Sequence, residues 1–289
     1  MKIEQIIAAV KKYHKGSWLG HAIDERTTRD KVLYGPVDVE CTGIVTTCFA
    51  STDVIRQAAA AGANLIISHE ALFWNHGDHT DWLADNAVFK AKKALLDETG
   101  ITVWRDHDYI HSGIPLADGT YTDGIFYGVM EKLGWRQYLA CDLSNPLVFQ
   151  LPAVPVAQVA DHIMTCFNLN GIRVIGDADN KVRRLAILSH VIGPDDNAIL
   201  AQVEKGDIDT MITMELTDFT LNEYVRDSAM LSIPRTILAV GHFNTEEPGM
   251  DYMTSWLGKA IGADIPTRFI QSGDAFGYIA NTKKSHDHD

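Results

Sequence analysis

Short apolar runs bounded by glycine, serine and aspartate recur along the chain, and between them lie longer stretches whose apolar residues return at helical spacing. That alternation is the pattern of parallel α/β layers. It predicts strands over Gly43–Cys48, Asn64–Ser68, Ile101–Trp104, Arg184–Leu188, Thr210–Met214 and Thr236–Val240. Between the first two, Ser51-Thr52-Asp53 offers a helix cap, and Val54, Ile55 and Ala58 continue along one face. A further helix is expected over Asn86–Thr99 with Phe89, Ala94 and Leu95 turned inward. Met1–Ile7 reads as the start of an amphipathic helix. Stripes of this kind belong to a core rather than to a cofactor site.

One segment echoes another. The run from Ala63 to Phe73 parallels the run from Ile208 to Phe219, each an apolar strand ending at a glutamate, Glu70 and Glu215. Two related α/β lobes would explain this, and chance remains the alternative for a single short echo. A boundary is expected near Gly134–Asn145, since Asp142-Leu143-Ser144-Asn145-Pro146 breaks regular structure. The first lobe would then span residues 1–135, and the second residues 136–289. The C-terminal segment is left open to pack with the first lobe.

A chain of 289 residues with 46% hydrophobic content is long enough for two ordinary domains with formed cores. The N-terminus does not read as a secretory signal, and no apolar stretch approaches the length of a membrane span. Cys41, Cys48, Cys141 and Cys166 are dispersed without CxxC spacing, which argues against a thiolate zinc knuckle or a disulfide framework and for a reducing cytoplasm. The net charge of −13 disfavours nucleic acid as the main partner. It does not exclude nucleotides, because bound cations make a locally positive pocket inside an acidic protein.

The chemistry concentrates in three clusters: His69-Glu70, His107-Asp108-Tyr109-Ile110-His111 and His242-Phe243-Asn244-Thr245-Glu246. The second and third each hold two donors four residues apart, one face of a helical turn. The first ends an apolar strand, the place where open α/β sheets keep their ligands. Imidazoles mixed with carboxylates suit zinc, iron, manganese or cobalt, and the six donors are more than one tetrahedral ion accepts. Two ions about 3.5–4 Å apart, bridged by a carboxylate and a water, would use them all. With twelve histidines in the chain, ordinary surface or core histidines are the competing reading, because such spacings are common.

The order of these clusters resembles the Nif3-like family of dinuclear-metal proteins, whose members are often labelled GTP cyclohydrolase I type 2 homologues. The likeness runs from Gly43–Ala61 through Gly62–Phe73, His107–His111, Asp123-Gly124-Ile125 and Leu133-Gly134-Trp135. It closes with Val240-Gly241-His242-Phe243-Asn244-Thr245-Glu246, a match to the family's glycine-histidine-aromatic-x-x-glutamate signature. Two positions depart: Glu70 stands where most relatives carry a second histidine, and His111 where they usually carry an aspartate. The resemblance implies a Nif3-like fold of two related α/β lobes with a dinuclear metal site between them. It implies two divalent ions per chain, held by His69, Glu70, His107, His111, His242 and Glu246, and ring-shaped homohexamers. An alternative for Glu70 is a hydrogen bond to a backbone amide at the next helix start.

Further candidates flank these. His190, in Ser189-His190-Val191-Ile192-Gly193-Pro194, either orients substrate or is a surface loop residue. Asp108 and Glu247 adjoin ligands and could steer imidazole tautomers. His76 and His79 either line an entrance or lie in a solvated loop, and the tail Ser285-His286-Asp287-His288-Asp289 could capture metal adventitiously. No G-x-S-x-G elbow, P-loop or G-x-G-x-x-G after a strand competes. The expected function is a metal-dependent hydrolase of a cyclic or linear amide-like bond in a small molecule, with Glu70 or Glu246 relaying a proton. A metal-trafficking or regulatory protein using the same pocket without turnover is the alternative, and a purely structural clamp a third reading.

Overall fold

The computed structural model describes residues 1–18, 20–193 and 197–279. The chain divides into two compact units, one formed by Met1–Gln150 with Thr245–Ser272, the other by Leu151–Asn244 with the chain from Gly273 on. The residues between Gly134 and Gln150 thus go with the first unit, as does the returning segment Thr245–Ser272. The tail histidines His286 and His288 lie outside the described residues. Among the described residues no helix is long and apolar enough to cross a membrane.

All the strands expected from the apolar runs form. In the first unit the sheet order is Thr267–Phe269, Ile44–Thr47, Leu65–Ser68, Thr102–Arg105, Val32–Tyr34, parallel except for the last strand. The three inner strands are buried at every residue, which is why they read as continuous apolar runs rather than as alternating ones. Ile44, Leu65, Ile67 and Trp104 pack against Ile3, Ile6 and Val10 of the helix Ile3–Tyr13 and against Met250, Met253 and Leu257. Val45, Ile66 and Val103 face the opposite way, onto Val54, Ile55 and Ala58 of the helix Thr52–Ala60 and onto Leu96. Ser51 caps that helix as expected, its side chain accepting from Val54 N at 3.2 Å.

The helix Ala87–Thr99 forms too, with one correction to its inward face. Ala94 is exposed, Phe89 and Leu95 are half-buried, and the buried positions are Lys92 and Leu96. Lys92 tolerates the interior because its Nζ donates to Leu72 O at 2.7 Å and lies 4.5 Å above the Phe49 ring.

The second unit repeats the plan. Its sheet runs Arg173–Gly176, Thr236–Ala239, Thr210–Leu216, Lys181–Val191, Val148–Pro155. In each unit three successive parallel strands lie in chain order, and the strand before them pairs antiparallel with the third. Leu65–Ser68 and Thr210–Leu216 are the central strands, and Glu70 and Glu215 sit at or just past their carboxyl ends. The internal echo therefore corresponds to an equivalent place in two similar sheets.

Candidate metal centre

Parallel pairing aligns Ser68 with Arg105, so the residues that follow each strand emerge at one edge of the first unit's sheet. His69 and Glu70 leave one strand there, and Asp106 and His107 leave the next. His107 then opens the short helix Asp108–Ser112, which carries His111 one turn on. The buried carboxylate of Asp30 fixes that turn by accepting the amides of His107 and Asp108, each at 2.9 Å, and of Tyr109 at 3.3 Å.

Three imidazoles converge. Ligand atoms of His69, His107 and His111 lie within 4.8 Å of one another. Each ring is anchored through Nδ1: His69 on the carbonyl of Asp106 at 3.0 Å, His107 on Asp108 at 2.9 Å, His111 on Asp123 at 2.8 Å. These acceptors place the proton on Nδ1 and leave Nε2 of each ring as its potential ligand atom, although the His69 and His107 rings lie stacked, with centroids 4.6 Å apart, so one ring must tilt for both to bind a single ion. His69 Nε2 is buried and makes no hydrogen bond. A buried nitrogen lone pair with ligand atoms of two more imidazoles within 4.8 Å fits a divalent cation of the zinc or iron class.

The anchors are themselves held. Asp108 also accepts from Thr28 Oγ1 at 2.9 Å and Arg29 N at 3.0 Å. Asp123 caps the helix Gly124–Leu133 through its other oxygen, accepting from Ile125 N and Phe126 N at 2.9 and 3.0 Å. The Asp106 carboxylate pairs with buried His14 at 3.0 Å. Burial drives the His107 imidazole down to about 4, against the pull of Asp108 and with the help of His69 and His111. Burial also opposes charge on His111, yet Asp123 and then Glu246 carry it up to about 9.

Two carboxylates join this group. Glu246 Oε2 lies 3.5 Å from His69 Nε2, and Glu70 Oε1 lies 3.9 Å from His107 Nε2. His69, Glu70 and Glu246 also form a set of potential ligands within 4.8 Å. Glu70 Oε2 accepts from the Ala71 amide at 3.3 Å, the backbone contact weighed as its alternative role, and from Arg105 Nη2 at 2.9 Å. Arg105 is fully buried, and sequence reasoning missed it. The available signal was a charged pair, Arg105-Asp106, closing the apolar run Val103-Trp104. The roles of Asp30 and Asp123 were missed as well, because the groups they hold at the centre, the turn at His107 and the His111 ring, belong to another element.

His242 and His190 are placed in the second unit, together with Glu215. His190 stands opposite Glu215 in register, and its Nδ1 donates to Oε2 at 2.9 Å. His242 Nδ1 donates to the other carboxylate oxygen. Burial opposes the charge on Glu215, but these two imidazoles hold its carboxyl well below the usual range. His242 begins the helix His242–Ile261, which carries Glu246 one turn on, with the unit boundary falling at Asn244. His76 is half exposed beside Glu70, its Nδ1 accepting from Arg105 Nη2 at 3.2 Å. His79 lines a separate cavity of about 490 Å³ with Tyr34, Phe73 and Phe89. Glu247 accepts the amide of Ser272 at 2.6 Å.

Two α/β units on one plan, with imidazoles and carboxylates gathered at a strand edge, define an α/β protein with a candidate metal centre. The chain belongs to the Duf34/NIF3 (NGG1p interacting factor 3) family, whose sequence profile matches residues 31–274. It is 22% identical over 239 residues to a GTP cyclohydrolase 1 type 2 homolog of Clostridium acetobutylicum, covering 80% of this chain and 81% of that protein. A hypothetical protein of Staphylococcus aureus has a similar solved fold, with a TM-score of 0.67 and 17% identity over 96% of this chain and 99% of that one. A Bacillus cereus protein related to NIF3 has a TM-score of 0.66 at 14% identity, with the same coverage of 96% and 99%.

Proposed function

We propose that this protein is a metal-dependent hydrolase acting on a cyclic or linear amide-like bond of a small molecule. The observation that supports it is the set of three imidazoles, each anchored at Nδ1 and with ligand atoms within 4.8 Å of one another, flanked by two carboxylates. His69, His107 and His111 would bind a divalent ion, with Glu246 and Glu70 beside it. Such an ion lowers the pKa of a coordinated water toward neutrality and polarises the attacked carbon. Two ions per chain, as the sequence resemblance implies, would require both carboxylates to turn to the centre, with His242 contributing as that resemblance has it.

The chain's own groups divide the remaining work. Glu246, whose Oε2 lies 3.5 Å from His69 Nε2, is assigned the proton relay, and Glu70, held by Arg105, is the second candidate. Asp108 and Asp123 keep the imidazoles in the tautomer that binds. His190, fixed on Glu215, is assigned to orienting substrate. The name of the clostridial relatives suggests a cyclic-amidine C–N bond, as in a purine nucleotide, for the first assays. The four dispersed cysteines, without CxxC spacing, suit a reducing cytoplasm. Homohexamer assembly belongs to the same reading, and light scattering giving a mass near the 32.0 kDa of one chain would exclude it.

The test is a screen of amides, lactams and nucleotides with freshly metal-loaded protein. Turnover that is lost on chelation and restored by one metal supports hydrolysis. Exchangeable bound metal with no turnover on any compound would overturn it in favour of metal trafficking.

A further inference from the structure

Arg105 is a fixed positive charge at the edge of the candidate centre, fully buried, and a guanidinium does not lose its proton in proteins. Its donors are all committed. Nε donates to His69 O at 3.0 Å, and Nη1 to His76 O at 3.0 Å and Asp78 Oδ2 at 3.2 Å. Nη2 donates to Glu70 Oε2 at 2.9 Å and His76 Nδ1 at 3.2 Å. The side chain cannot turn away without leaving a buried cation unpaired and stranding acceptors on four neighbouring residues.

Two groups of potential ligands surround this edge. One is the imidazole triad, and the other is Glu70, His76 and His107. The second overlaps the guanidinium's own partners, since Glu70 Oε2 and His76 Nδ1 both accept from Nη2. A divalent ion on that side would compete for those lone pairs. It would also sit beside a fully buried positive charge.

We infer that the first unit holds one divalent ion firmly, in the pocket of His69, His107 and His111, and that the Arg105 guanidinium supplies beside Glu70 the positive charge a second ion would bring. This rests on the metal-centre reading above and departs from its two-ion form. Glu70 is then a positioning residue. Its Oε2 is clamped by Arg105, which keeps Oε1 directed toward His107 Nε2.

Apo protein titrated with zinc, together with anomalous diffraction from crystals soaked in excess zinc, tests this. The diffraction assigns each ion to a place, so zinc held by His190, Glu215 and His242 is not counted toward this centre. The wild type should show one strong peak at the triad, with any second ion beside Glu70 at least 100-fold weaker. Arg105→Gln should strengthen that second ion at least tenfold and leave the first within about threefold, whereas Arg105→Lys, which keeps the charge, should behave as the wild type. Two equally firm ions at this centre in the wild type, or no strengthening in a folded Arg105→Gln, would overturn the inference while leaving the metal centre standing. Should Arg105→Gln fail to fold, the wild-type maps and Arg105→Lys still decide. No zinc at the triad in the wild type would instead refute the metal-centre reading itself.

Discussion

At the scale of single residues, His111 and Asp123 show how the centre is set. Their pairing at 2.8 Å raises the imidazole to about 9 against its burial, so at neutral pH a proton must leave before His111 can bind an ion. Metal affinity should therefore rise by about tenfold per pH unit from 7 until it levels near 9. The apo protein runs the other way. A folded-state pKa above the unfolded value of about 6.5 means that the pair's stabilisation is fully present below 6.5 and lost as pH rises through about 9. Asp123→Asn keeps a capping oxygen for the helix Gly124–Leu133 but removes the charge. It should weaken zinc binding by about 10–100-fold and end the pH rise at a lower value. Unchanged affinity and an unchanged profile would show that Asp123 only caps the helix. The histidines were legible in the sequence by spacing. Arg105, Asp30 and Asp123 were not, because a buried charge reveals its purpose only through partners that the fold supplies.

At the scale of elements, the legible strands were those buried on both faces, such as Leu65–Ser68 and the buried stretch Thr210–Met214, whose apolar residues are interrupted only by serine or threonine. Val148–Pro155 was not found, since Pro152 and Pro155 read as breakers; the strand lies at the sheet's edge, where a missing amide hydrogen is tolerated. Arg173–Gly176, largely exposed, carries only the apolar pair Val174-Ile175. In the helix Ala87–Thr99 the inward place given to Ala94 is taken one turn apart by Lys92 and Leu96. Burial lowers the Lys92 amine to about 7, so above that pH the unfolded chain binds the extra proton. Stability should then climb between pH 7 and 10, and Lys92→Met should flatten the climb in urea unfolding followed across that range. Parallel pH curves for the two proteins would contradict this assignment.

At the scale of the whole chain, two units that share the order of four of their five strands account for the echo between Glu70 and Glu215. The first glutamate is clamped by an arginine beside three histidines, and the second joins two histidines of its own. No local pattern announced that Thr245–Ser272 returns to the first unit, where Thr46 Oγ1 donates to Met250 O at 2.8 Å and Glu246 reaches His69. Sequence separation of this size is invisible to periodicity; that the clusters at His69 and Glu246 share a site was expected from their donor types and from the resemblance to a family. The central claim is that three anchored imidazoles form a metal site. X-ray absorption of protein loaded with one equivalent of zinc tests it most directly. The account predicts a shell of nitrogen and oxygen at about 2.0–2.1 Å with the multiple scattering of three imidazoles. A shell with one imidazole or none, or zinc that dialyses away, would contradict it.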